Sequence, residues 1–236
     1  MAKKTYIGVN NVARQVKKVY IGVNGVARKV KKIYIGVANI ARQIFGGYKL
    51  SYYGKASSLS QARYNLAATS VGNYALFGGG YSSTGRPAST VDAYDTSLTR
   101  STPTTDLSQA RHYLAATSVG NYALFGGGGT SSNPLSIVDA YDTSLTRYIP
   151  TVLSQARCYL KATTVGNYAL FGGGNSEGVA STVDAYDTSL TRSTPTVLSQ
   201  ARYYLAAATV GDYALFGGGS RASSNHSSTV DAYIVD

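Results

Sequence analysis

The chain has 236 residues, 44% of them hydrophobic, with 26 Gly, 21 Tyr, one Cys and no Trp. That is enough for one substantial domain plus an attachment, and the Tyr, Val, Thr and Ile of the periodic segments read as β structure with Gly-rich turns. A single Cys158 excludes an internal disulfide framework, and no apolar run approaches the ~18–20 residues of a membrane-spanning helix, so no membrane insertion is expected.

The net charge of +11 is unevenly placed. Residues 1–49 hold eight Lys and three Arg with no Asp or Glu, whereas residues from 50 onward carry 11 basic and 11 acidic side chains. Charge alone divides the chain in two. The start is basic, but no uninterrupted apolar stretch follows it, so no secretory signal is expected.

Within the basic part a 14-residue unit recurs, beginning Tyr6-Ile7-Gly8-Val9, Tyr20-Ile21-Gly22-Val23 and Tyr34-Ile35-Gly36-Val37. Asn10-Asn11 and Asn24-Gly25, flanked by β-branched residues, are two-residue hairpin signals, because both residue types accept the positive φ that such turns require. Folding the first unit there pairs Val9 with Val12, Ile7 with Arg14 and Thr5 with Val16. Isolated hairpins of this size are marginal in water, so the units need stacking on one another, on the rest of the chain or on other copies.

A longer unit follows. Leu-Ser-Gln-Ala-Arg occurs at 59–63, 107–111, 153–157 and 198–202, spaced 48, 46 and 45 residues apart. Each copy continues to Tyr-Ala-Leu-Phe-Gly-Gly-Gly, then a variable stretch, then Val-Asp-Ala-Tyr. Strands are expected near 64–71, 73–79, 89–95 and 98–104, repeating in each copy. The glycine run after an apolar strand (Phe77-Gly78-Gly79-Gly80 and its equivalents) and the downstream Val-Asp-Ala-Tyr resemble the kelch repeat over about residues 50–236. That resemblance implies an all-β, kelch-like β-propeller with four strands per blade. One departure is the missing Trp of the fourth strand, where Arg100, Arg147 and Arg192 stand nearby instead.

The fourth copy stops at Tyr233-Ile234-Val235-Asp236, before a fourth strand, and the first is preceded by Tyr48–Lys55. The expectation is therefore four blades, closed by an N-terminal strand near 48–55 that completes the last blade and removes the open edge. The domains are expected as 1–47, basic hairpin repeats for mounting or oligomerisation, and 48–236, the propeller.

The distance from the repeated Arg to the Phe before the glycines is 14 residues in every copy, whereas the stretch from the third Gly to the next Val varies as 11, 10, 9 and 11. Variable loops on a rigid frame are candidate binding surfaces, although drift in solvated Ser-rich loops would look alike. These loops contribute Tyr81 and Arg86, Asn133, Asn175 and Glu177, and Arg221, Asn225 and His226. A second variable position, directly after each Arg, contributes Tyr64-Asn65, His112-Tyr113, Cys158-Tyr159 and Tyr203-Tyr204. The kelch resemblance puts both sets on one face. Tyr offers flat, rigid contact area for sugars and proteins, while packing between blades is the other use of one residue of each pair.

Arg63, Arg111, Arg157 and Arg202 would form a ring at the channel mouth. They could attract a carboxylate, or bond backbone carbonyls and the Asp of Val-Asp-Ala-Tyr. Identity in every copy favours the structural role. Catalytic constellations are poor: the histidines are His112 and His226, and a stable metal site ordinarily wants three or four ligands. The two histidines and Tyr–Cys pair of the copper-radical oxidases of the kelch superfamily cannot be placed on this chain. No cofactor, metal or enzymatic activity is expected.

The basic 14-residue unit, over residues 5–46, resembles tandem repeats in tail-associated proteins of phages and prophages of Gram-positive bacteria. Together with the absence of a disulfide framework and of a secretory signal, that resemblance suggests a virion component assembled in the host cytoplasm. The leading expectation is a phage tail or fibre-tip protein that its N-terminal hairpins mount on other tail proteins as a homo-oligomer. Its loops would bind a host cell-surface glycan or protein. The alternative is an intracellular kelch-type interaction scaffold whose basic end binds nucleic acid or an acidic partner.

Overall fold

A computed structural model describes residues 6–9, 12–15, 20–23, 26–29, 33–37, 40–45, 50–103, 105–222 and 225–235. They form an all-β structure of small antiparallel sheets in two compact units, Met1–Lys55 and Ala56–Asp236.

In the first unit, β1 (Tyr6–Val9) pairs with β2 (Val12–Gln15), β3 (Tyr20–Val23) with β4 (Val26–Lys29), and β5 (Ile33–Val37) with β6 (Ile40–Phe45). The register of the first hairpin sets Val9 opposite Val12 and Ile7 opposite Arg14. The second repeats it, with Val23 opposite Val26 and Ile21 opposite Arg28. The third is longer and carries an irregularity between Ile33 and Tyr34. The expected Thr5–Val16 pair and the two-residue turns lie outside the described residues.

The second unit repeats one arrangement. It opens with β7 (Arg63–Tyr64), followed by β8 (Ala67–Val71), β9 (Tyr74–Gly78), β10 (Tyr81–Ser82), β11 (Val91–Tyr94) and β12 (Arg100–Ser101). The second sheet is β13 (Ala115–Val119), β14 (Tyr122–Gly126), β15 (Val138–Tyr141) and β16 (Arg147–Tyr148). The third is β17 (Lys161–Val165), β18 (Tyr168–Gly172), β19 (Val183–Tyr186) and β20 (Arg192–Ser193). Last come β21 (Ala206–Val210), β22 (Tyr213–Gly217), β23 (Ser220–Ala222), β24 (Asn225–His226) and β25 (Val230–Ile234). Sheets one to three are four-stranded meanders, β8-β9-β11-β12 and its two equivalents, and the first strands of successive sheets lie side by side.

The outermost strand is shorter than expected, two residues in place of seven. Asp95 accepts hydrogen bonds from the amides of Ser97 (2.8 Å) and Thr99 (3.0 Å), and Leu98 sits at φ 62°. This turn consumes the residues assigned to the start of that strand.

The glycine run is explained by what crowds it. A Cβ on Gly78 would lie 2.7 Å from the ring of Phe125 in the next sheet. A Cβ on Gly79 would lie 2.6 Å from the carbonyl oxygen of Arg111. Gly80, at φ 105°, donates its amide to that same carbonyl at 2.9 Å. Close approach of the next repeat therefore excludes any side chain here. Around this contact the sheets share cores: Leu76, Val91 and Ala93 of the first meet Leu114, Ala123 and Phe125 of the second. The pattern recurs at the next two junctions.

The closing strand expected near 48–55 is not formed among the described residues. Residues 50–55 belong to no strand, and the fourth sheet has three strands, ending at β25. Leu50, Tyr52 and Tyr53 are exposed. The tail face of the fourth sheet is open as well: Val210 and Val230 are 61% and 60% exposed, where their equivalents Val71 and Val91 are 4% and 0%.

Candidate functional site

Each repeated Arg is buried and committed within its own repeat. Arg63 reaches Asp92 at 2.5 Å and the carbonyls of Gly79 (2.7 Å) and Thr90 (2.6 Å). Arg111 pairs with Asp139 at 2.8 Å, and Arg157 and Arg202 pair with Asp184 and Asp231. Each guanidinium also donates to the carbonyl of the Phe 14 residues ahead, at 3.1 Å for Arg111 and Phe125. That bond accounts for the constancy of the spacing. In the first three sheets the other carboxylate oxygen takes Arg100 (2.9 Å), Arg147 (3.1 Å) or Arg192 (3.0 Å) from the outer strand. These arginines occupy the positions noted for the missing Trp, and each of the inner four is already spent on an Asp and on backbone carbonyls of its own repeat.

Burial alone would raise the Asp92 carboxyl, but hydrogen bonds from Ser60 and Arg100 and the charge of Arg63 hold it below the usual carboxylate range. Burial lowers the guanidinium values of Arg111 and Arg157, against the attraction of Asp139 and Asp184.

The two variable sets are joined by backbone pairing. Tyr64 opposes Tyr81, His112 opposes Gly129, Cys158 opposes Asn175 and Tyr203 opposes Ser220. The residue after each Arg is thus tied to the residue after the glycines, which brings each variable pair beside its variable loop. The second members of the pairs are stitched across repeats: Tyr113 donates its amide to Asn65 (3.0 Å), Tyr159 to Tyr113 (3.0 Å) and Tyr204 to Tyr159 (3.1 Å).

One continuous aromatic row results. Ring centroids are 5.6 Å apart for Tyr64 and Tyr81, 5.0 Å for Tyr81 and His112, and 4.6 Å for His112 and Tyr113. The row continues at 4.1 Å from Tyr113 to Tyr159 and 4.5 Å from Tyr159 to Tyr204, with Tyr203 beside Tyr204 at 5.0 Å. Asn65, Tyr113, Tyr159 and Tyr204 all adopt positive φ, between 53° and 58°. A left-handed backbone at a bulky residue costs about 1–2 kcal/mol, a strain typical of functional positions.

Asn65, Tyr113, Tyr159 and Tyr204 surround a cavity of about 270 Å³ with Leu66, Leu114, Leu160 and Lys161. Lys161 is exposed and is, among the described residues, the only charged one of that lining. Sequence reasoning missed it. The signal was available, because Lys161 stands where the other three repeats carry Ala67, Ala115 and Ala206. Burial, with the neighbouring Tyr204 hydroxyl, raises the phenol of Tyr159. Burial likewise lowers the imidazole of His112 and raises the thiol of Cys158, so both are neutral near pH 7.

The remaining candidates sit on the loops. Arg86, Asn133, Glu177, Arg221, Asn225 and His226 are exposed, and Asn175 is half-buried. His226 lies 3.1 Å from the Ser220 hydroxyl, and the Cys158 thiol is 3.6 Å from the Asn175 carbonyl. Among the described residues no three His, Cys, Asp or Glu side chains converge. The chain matches no protein-family model and no curated protein.

Proposed function

We propose that this chain is a phage tail- or fibre-associated binding protein whose repeated sheets are blades of a kelch-like β-propeller. In this reading the loop face recognises a glycan on the host cell surface, and the basic hairpins attach the protein to other tail proteins or to further copies of itself. The observation that carries it is the row from Tyr64 to Tyr204 with its cavity. Rigid aromatic faces suit the apolar faces of sugar rings, and half-exposed Tyr adds hydroxyls for hydrogen bonding at small entropic cost. Lys161 adds one cation to that surface, which favours a saccharide bearing a carboxylate or phosphate. The tandem 14-residue repeats support the virion context, and assembly would take place in the bacterial cytoplasm.

Replacing the loops at 81–87, 129–135 and 175–180 with Gly-Ser linkers tests the face. Binding of the full chain to Gram-positive cells is expected to fall at least tenfold with the fold retained. Unchanged binding sinks the proposed face. The scaffold alternative draws support from the charge of residues 1–49, and a salt titration of the full chain against DNA separates it. Affinity matching that of an unrelated peptide of equal charge removes that alternative.

A further inference from the structure

Three internal junctions are built alike, and each has two halves. The tail half carries a glycine with no room for a side chain, and the head half carries the Phe that fills the space. Phe125 fills Gly78, Phe171 fills Gly126 and Phe216 fills Gly172, each within 2.7 Å of where a Cβ would stand. A fourth tail half and a first head half are left over. At Gly217 a Cβ would meet, among the described residues, only Val230 of its own sheet, at 3.4 Å. At the other end, Phe77, with Ala75, Tyr94, Leu59 and Leu98, lines an open and almost wholly apolar groove of about 400 Å³. Ala75 is exposed there, whereas its equivalents Ala123, Ala169 and Ala214 are 0% exposed.

We infer that a second copy of this chain docks head to tail, placing its Phe77 face on the Gly217 face and receiving the same contact in return. Both halves are apolar, and together they restate an interface that this chain already forms three times. The two halves do not meet within one chain, as the exposure of Val210 and Val230 records. A head-to-tail contact closes as a ring only if its rotation returns to the start. Propellers typically have 4–8 blades, so two copies of four sheets close within that range and three do not. The number of copies therefore rests on the propeller reading, whereas the docking of the two faces rests on their matched halves.

The hydroxyl contacts between neighbouring sheets locate a test. Thr117 lies 2.7 Å from Thr164, and Thr163 lies 2.7 Å from Thr209. The next pair in that series joins Ala208 to Ser70 of the second copy, and both residues are exposed in one chain. In a full chain carrying C158S, the double variant S70C/A208C is oxidised and weighed intact under denaturing, non-reducing conditions. The expected product is two chains joined covalently with all four thiols consumed, while S70C or A208C alone yields no such product. Thiols that stay free or a disulfide within one chain overturn the docking of the two faces, and a ladder of ever larger species overturns its closure as a pair. None of these outcomes bears on glycan binding, so failure here is distinct from failure of the loop face.

Discussion

The buried arginines are the most consequential single residues in the sheets. Arg157 is fully enclosed, with Asp184 as its counter-charge and the carbonyls of Thr182 and Phe171 as further acceptors. Removing one partner of a buried pair strands the other, at about 3–5 kcal/mol. Asp184→Ala is therefore expected to cost that much in urea unfolding. Asp231→Ala should cost clearly less, because Asp231 is partly exposed and no outer-strand arginine pairs with it among the described residues. The tyrosines of Val-Asp-Ala-Tyr supply a pH dependence. Tyr141, Tyr186 and Tyr233 donate to the carbonyls of Thr105, Thr151 and Thr196, and burial raises all three, Tyr233 to about 12. A raised folded-state value means that their contribution is complete below about pH 10, the ordinary tyrosine value, and is lost as pH rises through the folded values. Unfolding midpoints at successive alkaline pH values should fall above that point and stay level below it with respect to these groups. Tyr204 separates stability from function. It is 56% exposed at φ 53°, so Tyr204→Gly relieves about 1 kcal/mol of backbone strain while weakening glycan binding. A loss of stability as large as the loss of binding would reassign Tyr204 to the scaffold.

At the level of strands and junctions, the glycines give the sharpest contrast. Gly126→Ala forces a Cβ to within 2.6 Å of the Phe171 ring, an overpacking expected to cost about 1–3 kcal/mol. Among the described residues a Cβ at Gly217 makes only an ordinary contact with Val230 of its own sheet, at 3.4 Å, so Gly217→Ala should leave the sheet itself unaffected and weaken only association between copies. Thermal unfolding and a sedimentation measurement on each variant read the two effects apart. The 14-residue constancy from Arg to Phe is a hydrogen bond written as a spacing, and the three repeated glycines are close approaches written as composition. The first lies within one repeat and the second between neighbouring repeats, and each leaves a regular mark in the sequence. The outer strand was overestimated because the Asp-Thr-Ser-Leu-Thr turn competes for the same residues. Closure was misjudged because it depends on how far three junctions rotate the sheets, a sum that no single motif encodes. Lys161 is not marked by any loop variability, because it replaces the Ala of the other three repeats at the start of a strand.

For the whole molecule, one scheme connects these observations. Invariant residues, Arg, Asp, Phe and the glycines, are spent on internal ion pairs and junctions, and they leave the surface to residues that differ between repeats. Backbone pairing then gathers those differences into one aromatic row, instead of scattering them over the sheets. The charge of the first 49 residues stays separate from this surface in sequence. The central claim is that the row is the binding site, and the most direct measurement is a titration of the full chain with purified Gram-positive wall polysaccharide, compared with Y113A/Y159A/Y204A. The expected result is saturable binding by the native protein and at least a tenfold loss in the variant, with its unfolding transition preserved. Equal affinity in the two proteins would contradict it.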